Sequence, residues 1–467
     1  MPSKQECYDI VILGKEKGIF SLWMLDAHGL IKGGDQRSRT SLFTRCLAVF
    51  GILVLISTLS LAISAHAAMR KTLTPKISIH EEYDDNIDLE PTNEESDWIT
   101  VISPGIFVEL ESSETMFTLD YEAGFSFYED DSSRDSTRHR IVARWDQELS
   151  QHLRFHLFDR FNRSEDPVLV YEGQIEDIGR ERAIYYRNSG ETSLAYTFGA
   201  EDLIAAGYRN IYADDTSRLG QNSRGHEAFA NLEKWFGPRF GVGVTSLYNW
   251  SVFEETSDFD QYGAGLTLNY RWVASRRVYT RYDFLDHELE EPHADSQRGD
   301  FRDHEAVLGI SMTLGPHAEF SAEGGYYFHD YDNGDDNDGP VYKASFNTQT
   351  QRSSIRLEVE GGLDERYYAA ETLGSFENQK VFGIADYLLT ENLLIFGSGN
   401  FGSEDYFEID RKDEFWSVTA GLSLSFWRWL QLSLQGTYTD RDSDDPAAEF
   451  RDNRVILRLS GGYPYTF

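Results

Sequence analysis

Arginine residues recur at alternate positions in many segments of the sequence, and they are the side chains best suited to bind a ligand. A guanidinium group keeps its charge at physiological pH and can bind a carboxylate or phosphate through two parallel hydrogen bonds. Rows of arginines inside a polar channel could therefore guide an anionic solute or polymer. The candidates, which would face the lumen of the barrel predicted below, are Arg140, Arg144, Arg154, Arg160, Arg187, Arg209, Arg271, Arg281, Arg356 and Arg458.

Carboxylates share these alternating positions, which leaves a second interpretation open. Unpaired charges are costly to bury, so such groups must face water or one another. The arginines would then be salt-bridged residues of the barrel wall, and the presence of both positive and negative side chains favours this interpretation. The carboxylates concerned are Asp120, Glu122, Asp146, Glu323, Glu358 and Glu360.

Catalytic and metal-binding motifs do not occur in the sequence. It contains no G-x-S-x-G, no H-E-x-x-H and no glycine-rich phosphate loop. His287, His293 and His304 lie near one predicted loop, but their spacing matches no ligand pattern, and residues 330–339 fail the EF-hand spacing. We predict no enzyme, no cofactor and no metal site. Catalytic groups on a barrel come from distant strands, so a missing local motif weakens the case for an enzyme without closing it.

Strands must position the arginines, because apolar and polar residues alternate in recurring segments from residue 76 to the end. In 116–128, for example, Phe125 and Phe127 alternate with Gly124 and Ser126. A ten-residue strand tilted near 45° spans roughly 24 Å, which matches the core of an outer membrane. We predict an all-β fold, a transmembrane antiparallel up-and-down barrel of about 20 strands, with 18 as the alternative.

Composition fits this fold class. The chain is 14% aromatic, yet 26% of its residues are charged and its mean hydropathy is -0.48. Only the outward half of each strand must be apolar in such a barrel. With about 20 strands, the lumen is too wide for side chains to fill, so it is an aqueous channel or is plugged by a loop. The loop 162–180 is the one long enough to fold inward.

The longer connections between strands are acidic, and the net charge of the chain is -36. We expect them to form a solvated extracellular surface, with loose divalent bridging to lipopolysaccharide phosphates as the alternative. Residues 1–67 hold seven Lys or Arg and five Asp or Glu, so the remainder carries -36 - 2, about -38. This charge argues against a nucleic-acid partner.

A targeting segment lies near the start of the sequence. Residues 47–64 are almost wholly apolar, basic residues precede them, and Ala65-His66-Ala67 forms a small-x-small cleavage site. We predict an N-terminal extension and signal peptide over 1–67, cleaved after Ala67, and a barrel over 68–467. Met24 is a plausible start. Cys7 and Cys46 both lie in the removed part, so the exported chain would have no disulfide.

The last residues of the chain look like the terminal targeting signal of bacterial outer-membrane barrels. Ser460, Gly462, Tyr465 and Phe467 occupy the polar, glycine and aromatic positions of that signal, and Pro464 departs from a regular strand. We therefore expect a location in the outer membrane of a Gram-negative bacterium. Expected partners are outer-membrane lipid, lipopolysaccharide and the barrel-assembly machinery.

A family resemblance follows from residues 77–87, which contain Tyr-Asp-Asp-Asn at 83–86, and from residues 102–106. These segments resemble the opening strands of the group called putative beta-barrel porin 2, and we expect the likeness to span the mature chain. The resemblance implies an outer-membrane pore, either a passive conduit linked to export of an extracellular polysaccharide, with polysaccharide-export proteins as partners, or a route for general solute diffusion. The alternative function is a non-transporting structural or adhesive barrel that acts through its acidic loops.

Overall fold

Alternation of apolar and polar residues builds one antiparallel sheet that closes on itself in the computed structural model. The structure describes residues 69–467 except 172–173, 179–181, 217–221, 255–256, 291–299, 333–335, 367–373 and 408. The predicted signal peptide, with Ala65 and Ala67, lies outside the described residues, so the boundary after Ala67 stays a prediction. His293 and parts of the loop 162–180 also lie outside them.

Twenty-three strands occur within the described ranges. They are β1 Arg70–Asp84, β2 Asp97–Glu111, β3 Thr115–Tyr128, β4 Ser136–Glu148, β5 Leu153–Ser164, β6 Val168–Tyr171, β7 Gln174–Ile178, β8 Tyr185–Thr197, β9 Leu203–Asp215, β10 Ser223–Phe236, β11 Phe240–Phe253, β12 Asp258–Val273, β13 Arg276–Glu290, β14 Phe301–Thr313, β15 Ala318–Tyr331, β16 Asn337–Gln349, β17 Ser353–Arg366, β18 Gly374–Leu388, β19 Leu393–Tyr406, β20 Lys412–Trp427, β21 Leu430–Ser443, β22 Phe450–Gly462 and β23 Tyr465–Thr466. A short 3-10 helix spans Ser132–Arg134. No helix in the described part of the chain is long and apolar enough to cross a membrane.

Closure of the sheet comes from β1, which pairs with β2 on one side and with β22 and β23 on the other. Each remaining strand pairs with its neighbour along the chain, and β5 pairs directly with β8. Of the strands described, β6 and β7 form a separate hairpin, so 20 long strands make the wall. The predicted all-β transmembrane barrel of about 20 strands is therefore confirmed.

The outer face of the barrel exposes large apolar side chains. In β22, Val455, Leu457 and Leu459 are exposed, whereas Arg454, which lies nearer the preceding loop, is buried. Aromatic rings gather where short turns join the strands, including the stacked Trp427 and Trp429 at 5.3 Å. A wall that faces hydrocarbon and ends in a girdle of aromatic rings has this pattern. We call the side of the short turns the turn end, and the opposite side the loop end.

The connection between β5 and β8, which we call the inward loop, turns toward the lumen at its described ends. Arg182 donates a 2.8 Å hydrogen bond to Asp84 at the end of β1, and Asp166 accepts one of 2.9 Å from Arg454 on β22. These contacts connect opposite parts of the sequence across the inner face. The loop that was long enough to fold inward therefore does so at residues 165–166 and 182.

A second segment leaves the wall at Gly362. The pairing of β16 with β17 ends at Tyr342 and Gly361, but β17 and β18 remain paired as far as Arg366 and Gly374. Gly362 has a φ of +144°, a conformation that residues with a side chain rarely adopt. Beyond it, Leu363 packs on the buried cluster of Val307, Tyr327 and Val341. We call residues 363–366 and 374–378 the inward tip.

Gly362→Ala should lower the stability of the barrel by about 1–3 kcal/mol, because alanine is strained at this φ. An added Cβ would also lie 3.0 Å from Cγ2 of Val341. Urea unfolding of the barrel in lipid vesicles measures the change. Gly399→Ala is the control, since its Cβ would meet nothing closer than 3.9 Å. Equal midpoints for the two variants would contradict a conformational requirement at Gly362.

Acidic residues at the loop end are partly buried, which corrects the expectation of a solvated acidic surface. Asp84, Asp97, Asp303, Glu404 and Asp452 are all less than one-tenth exposed. Arg182 and Arg454 pair with Asp84 and Asp452, and the backbone amides of residues 129 and 130 bond Asp97. The expectation of solvation is wrong for these five carboxylates.

Candidate anion path in the lumen

A cavity of about 650 Å³ lies inside the barrel beneath the inward loop. Residues of β1–β5 form one side of it, and residues of β18–β22 form the other. Six arginines and three carboxylates, Glu122, Asp166 and Asp452, line it. Its wall therefore carries an excess of positive charge, although the whole chain carries -36.

Arg140, Arg160 and Arg458 are the predicted lumen arginines that the structure brings to this cavity. The side chain of Arg140 is 49% exposed, and its nearest recorded carboxylate oxygen, on Asp120, is 3.9 Å away. Asp120 lies much closer to Lys76, at 2.5 Å. Arg458 is also exposed, because the inner face of β22 is open to the lumen at this height. The guanidinium groups of Arg140 and Arg458 are therefore exposed in the cavity, and Arg160 is half-buried.

The side of the cavity across from β4 and β5 is neutral and polar. Hydroxyl groups pair across neighbouring strands there, with Ser417 and Thr439 at 3.1 Å and Thr419 and Thr437 at 2.9 Å. These hydroxyl groups lie at inward positions, which can stay polar because only the outward positions of a membrane strand face lipid. The neutral lining residues of β19–β21 are Ser398, Asn400, Ser417, Thr419, Gln435, Thr437 and Thr439.

A buried cluster of charges borders the cavity at the loop end. Arg454 lies 2.7 Å from Asp452, 2.9 Å from Asp166 and 3.2 Å from Asp84. Arg182 adds its bond to Asp84 and a 2.7 Å bond to the carbonyl oxygen of Ile87. We call Asp84, Asp166, Arg182, Asp452 and Arg454 the charge cluster. It attaches the inward loop to the wall.

Opposite charge sets the protonation of the loop carboxylates. Burial alone would raise the pKa of Asp166, but Arg454, Arg182 and Arg138 together hold it well below its usual value. Burial also opposes ionisation of Glu165, and Arg138, 2.7 Å away, keeps the pKa of that carboxyl low. Both groups are therefore anionic at neutral pH, and the loop stays attached by charge-assisted bonds.

The seven other predicted arginines lie along the wall outside this cavity, and most contact acidic groups. Arg209 bonds Glu191 and Glu227, Arg281 bonds Glu305, and Arg271 forms a bidentate pair with Glu201 at 2.9 and 2.7 Å. These pairs fit the interpretation of salt-bridged wall residues. Further contacts include Arg154 with Glu148, Arg356 with Glu358, and Arg144 and Arg187 over the rings of Phe158 and Tyr185.

Sequence reasoning missed Arg138, Arg182 and Arg454. Arg138 and Arg454 have the same strand parity as Arg140 and Arg458, so alternation could have identified them. Arg182 lies in a connection between strands, where no regular alternation of side chains predicts which way a residue points. Arg163 also lines the cavity, but its guanidinium group bonds Tyr186 and Thr137.

The C-terminal residues extend the closing seam of the barrel. Ser460 and Gly462 pair with Ser78 and Lys76 of β1, Pro464 interrupts the ladder, and Tyr465 pairs with Leu73. The rings of Tyr465 and Phe467 are exposed at the turn end. Their role as a targeting signal stays a prediction.

Comparison with known proteins gives one family match. The family described as "Putative beta-barrel porin 2" matches residues 249–461. The match does not include residues 77–87 and 102–106, from which the resemblance was inferred. No curated protein matches the sequence.

Solved structures of outer-membrane proteins align with most of the chain at low similarity. OpdK from Pseudomonas aeruginosa shares 10% identity over 85% of this chain and 99% of its own, with a TM-score of 0.36. OccK2 from the same organism, in complex with glucuronate, shares 12% identity over 86% of this chain and 98% of its own, with a TM-score of 0.37. OccAB3 from Acinetobacter baumannii shares 9% identity over 85% of this chain and 100% of its own, with a TM-score of 0.38. The chain is a porin-like β-barrel whose residues 249–461 match the "Putative beta-barrel porin 2" family, which confirms the resemblance.

Proposed function

We propose that the protein is a passive outer-membrane channel for anionic solutes. The observation that carries this proposal is the cavity whose wall is positive inside a strongly acidic chain. Attraction of anions by fixed positive groups on the wall of the cavity raises the local concentration of anions and favours their passage. We place the channel in the outer membrane of a Gram-negative bacterium, with lipopolysaccharide and the barrel-assembly machinery as partners.

The two sides of the cavity suit an acidic carbohydrate. Arg140 and Arg458 can bind carboxylates, and the hydroxyl and amide groups of β19–β21 can exchange hydrogen bonds with sugar hydroxyls. A charged side and a neutral polar side would hold a uronic acid in one orientation without enclosing it. We therefore extend the proposal to the conduit for an extracellular polysaccharide, working with polysaccharide-export proteins.

A second candidate function is a non-transporting surface barrel, structural or adhesive, that acts through its acidic loops. The observation in its favour is the inward loop and the inward tip, which fill part of the lumen at the loop end. A barrel closed there would expose only its loops for binding. Neither candidate requires an enzyme, and the absence of catalytic activity stays a prediction.

Replacing Arg140 and Arg458 with Glu should reverse ion selectivity, because the exposed positive charges of the cavity become negative. We expect a reversal potential that indicates anion preference in wild type and the opposite sign in the double variant, measured in planar bilayers under a salt gradient. The control is Arg451→Glu, the same charge change on a side chain that is 74% exposed. Arg451 lies on β22 at a position of opposite parity to Arg458.

Polymer block separates the two candidate functions. Polygalacturonate should reduce wild-type conductance more than neutral dextran of equal length, and the double variant should lose this difference. A conducting barrel whose selectivity is unchanged by the double substitution would contradict the anion path. A correctly folded barrel without conductance would favour the surface function.

A further inference from the structure

A second polar cluster lies on the inner face at the loop end, among β12–β15 and the inward tip. His287 on β13, Asp303 on β14 and Glu365 on β17 offer one nitrogen and two oxygen atoms within 4.8 Å of one another. The bend at Gly362 brings Glu365 here from a strand that is four places from β13 in the sheet. Asp303 is 6% exposed and His287 is 1% exposed, so these two groups are removed from bulk water, whereas the side chain of Glu365 is 22% exposed.

Too many polar atoms converge on one imidazole nitrogen for hydrogen bonding to account for them. Nε2 of His287 lies 3.0 Å from Glu365, 3.6 Å from Asp303 and 2.9 Å from the side-chain amide of Gln261. A ring nitrogen has either one proton or one lone pair, and can therefore satisfy only one such neighbour well. The amide of Gln261 can also rotate to present its oxygen, which would bring a third oxygen atom to the same point.

Unpartnered atoms give a second, independent indication. Oδ2 of Asp303, which lies 3.6 Å from Nε2 of His287, has no hydrogen-bond partner among the residues that the structure describes. The other oxygen of this carboxylate is bonded by Nδ1 of His329, a fully buried ring, which fixes the orientation of Asp303. A carboxylate oriented through one oxygen by a second histidine, with its other oxygen free, resembles the supported ligands of metal centres.

We propose that His287, Asp303 and Glu365 bind one divalent transition-metal ion, with Gln261 as a further oxygen donor. Imidazole nitrogen together with carboxylate oxygen suits Zn²⁺ or Mn²⁺, whereas Ca²⁺ and Mg²⁺ prefer oxygen ligands alone. Two carboxylates beside one imidazole also provide the negative charge that such a cation neutralises. The ion would fasten the inward tip to the wall formed by β13 and β14. This inference does not depend on the proposed transport function.

Metal binding can be tested on the refolded barrel in detergent after treatment with a chelator. We expect one equivalent of Zn²⁺ to remain after dialysis against excess Mg²⁺, which occupies the loosely binding acidic loops. Glu365→Gln and Asp303→Asn should each weaken Zn²⁺ affinity by at least ~10–100-fold, the loss typical of disturbing even supporting residues of a metal site. His156→Gln is the matched control, because His156 pairs with Asp146 at 2.7 Å and the structure records no third ligand there.

Binding of Co²⁺ supplies a second readout that does not require a variant to fold. One equivalent should produce the visible absorption bands of a site with nitrogen and oxygen ligands. Absence of a bound ion by both methods would overturn the proposal and leave a protonated His287 between two carboxylates. Zinc retained equally by Glu365→Gln, Asp303→Asn and His156→Gln would overturn it as well, because binding would then lie elsewhere.

Discussion

Arg454→Met should destabilise the barrel by about 3–5 kcal/mol, the usual loss when one partner of a buried ion pair is removed. Arg454 lies within 4 Å of carboxylate oxygens of Glu82, Asp84, Asp166 and Asp452. Methionine fills a similar volume but leaves these acidic groups without their shared cation. Urea unfolding in lipid vesicles, followed by tryptophan fluorescence, measures the change.

The control for this prediction is Arg451→Met, three residues away on the same strand. Its side chain is 74% exposed and pairs with Asp440 alone among the described residues, so stability should change by less than about 0.5 kcal/mol. A double variant with Arg454→Met and Asp166→Asn should recover part of the loss, because one buried negative charge is then absent. Similar stability of Arg454→Met and Arg451→Met would show that the charge cluster does not hold the barrel together.

Asp166→Asn should release the inward loop and raise channel conductance at neutral pH. The substitution removes the charge that Arg454 binds at 2.9 Å, and the loop then loses its attachment to β22. Single-channel recording in planar bilayers measures the effect. Asp131→Asn is the control, because Asp131 lies in an exposed connection, where it accepts hydrogen bonds from Ser133 and pairs with Arg134 at 3.4 Å.

The pH dependence of the wild type follows from the lowered pKa of Asp166. Attachment of the inward loop lowers the pKa of Asp166 below its ordinary value of 3.8. The carboxylate therefore stabilises the attached loop fully at any pH above 3.8, and this contribution is lost as the pH falls through the lowered pKa. Conductance of the wild type should therefore stay constant from neutral pH to about 4 and rise only in stronger acid. Equal conductance of wild type and Asp166→Asn at neutral pH would mean that the loop does not limit flow.

The sequence was sufficient to predict the wall of the barrel. Hydrocarbon on one side and water on the other impose a period of two, so Val455, Leu457 and Leu459 identify β22 without any tertiary information. The same period placed Arg140 and Arg458 on the inner face. The number of strands could be predicted because each turn interrupts the alternation, and the described wall has 20 long strands.

Contacts across the lumen could not be predicted, because they join residues that have no local relation. Arg454 and Asp166 are separated by 288 positions, and Arg182 and Asp84 by 98. Acidic connections resemble solvated loops in composition, whether or not a second segment covers them. The candidate metal ligands come from three strands, so no spacing motif could place His287 beside Glu365.

The seam between β1 and the last two strands, β22 and β23, has a consequence for how the chain folds. It joins residues as far apart as Thr72 and Thr466, 394 positions, whereas other neighbouring wall strands follow one another closely in the sequence. Closing so long a loop costs entropy that only a nearly complete sheet can offset, and such non-local pairing is slow. We infer that hairpins form first and the seam last. Until that moment both edges have unpaired backbone groups, and this interval is when an assembly factor would prevent aggregation.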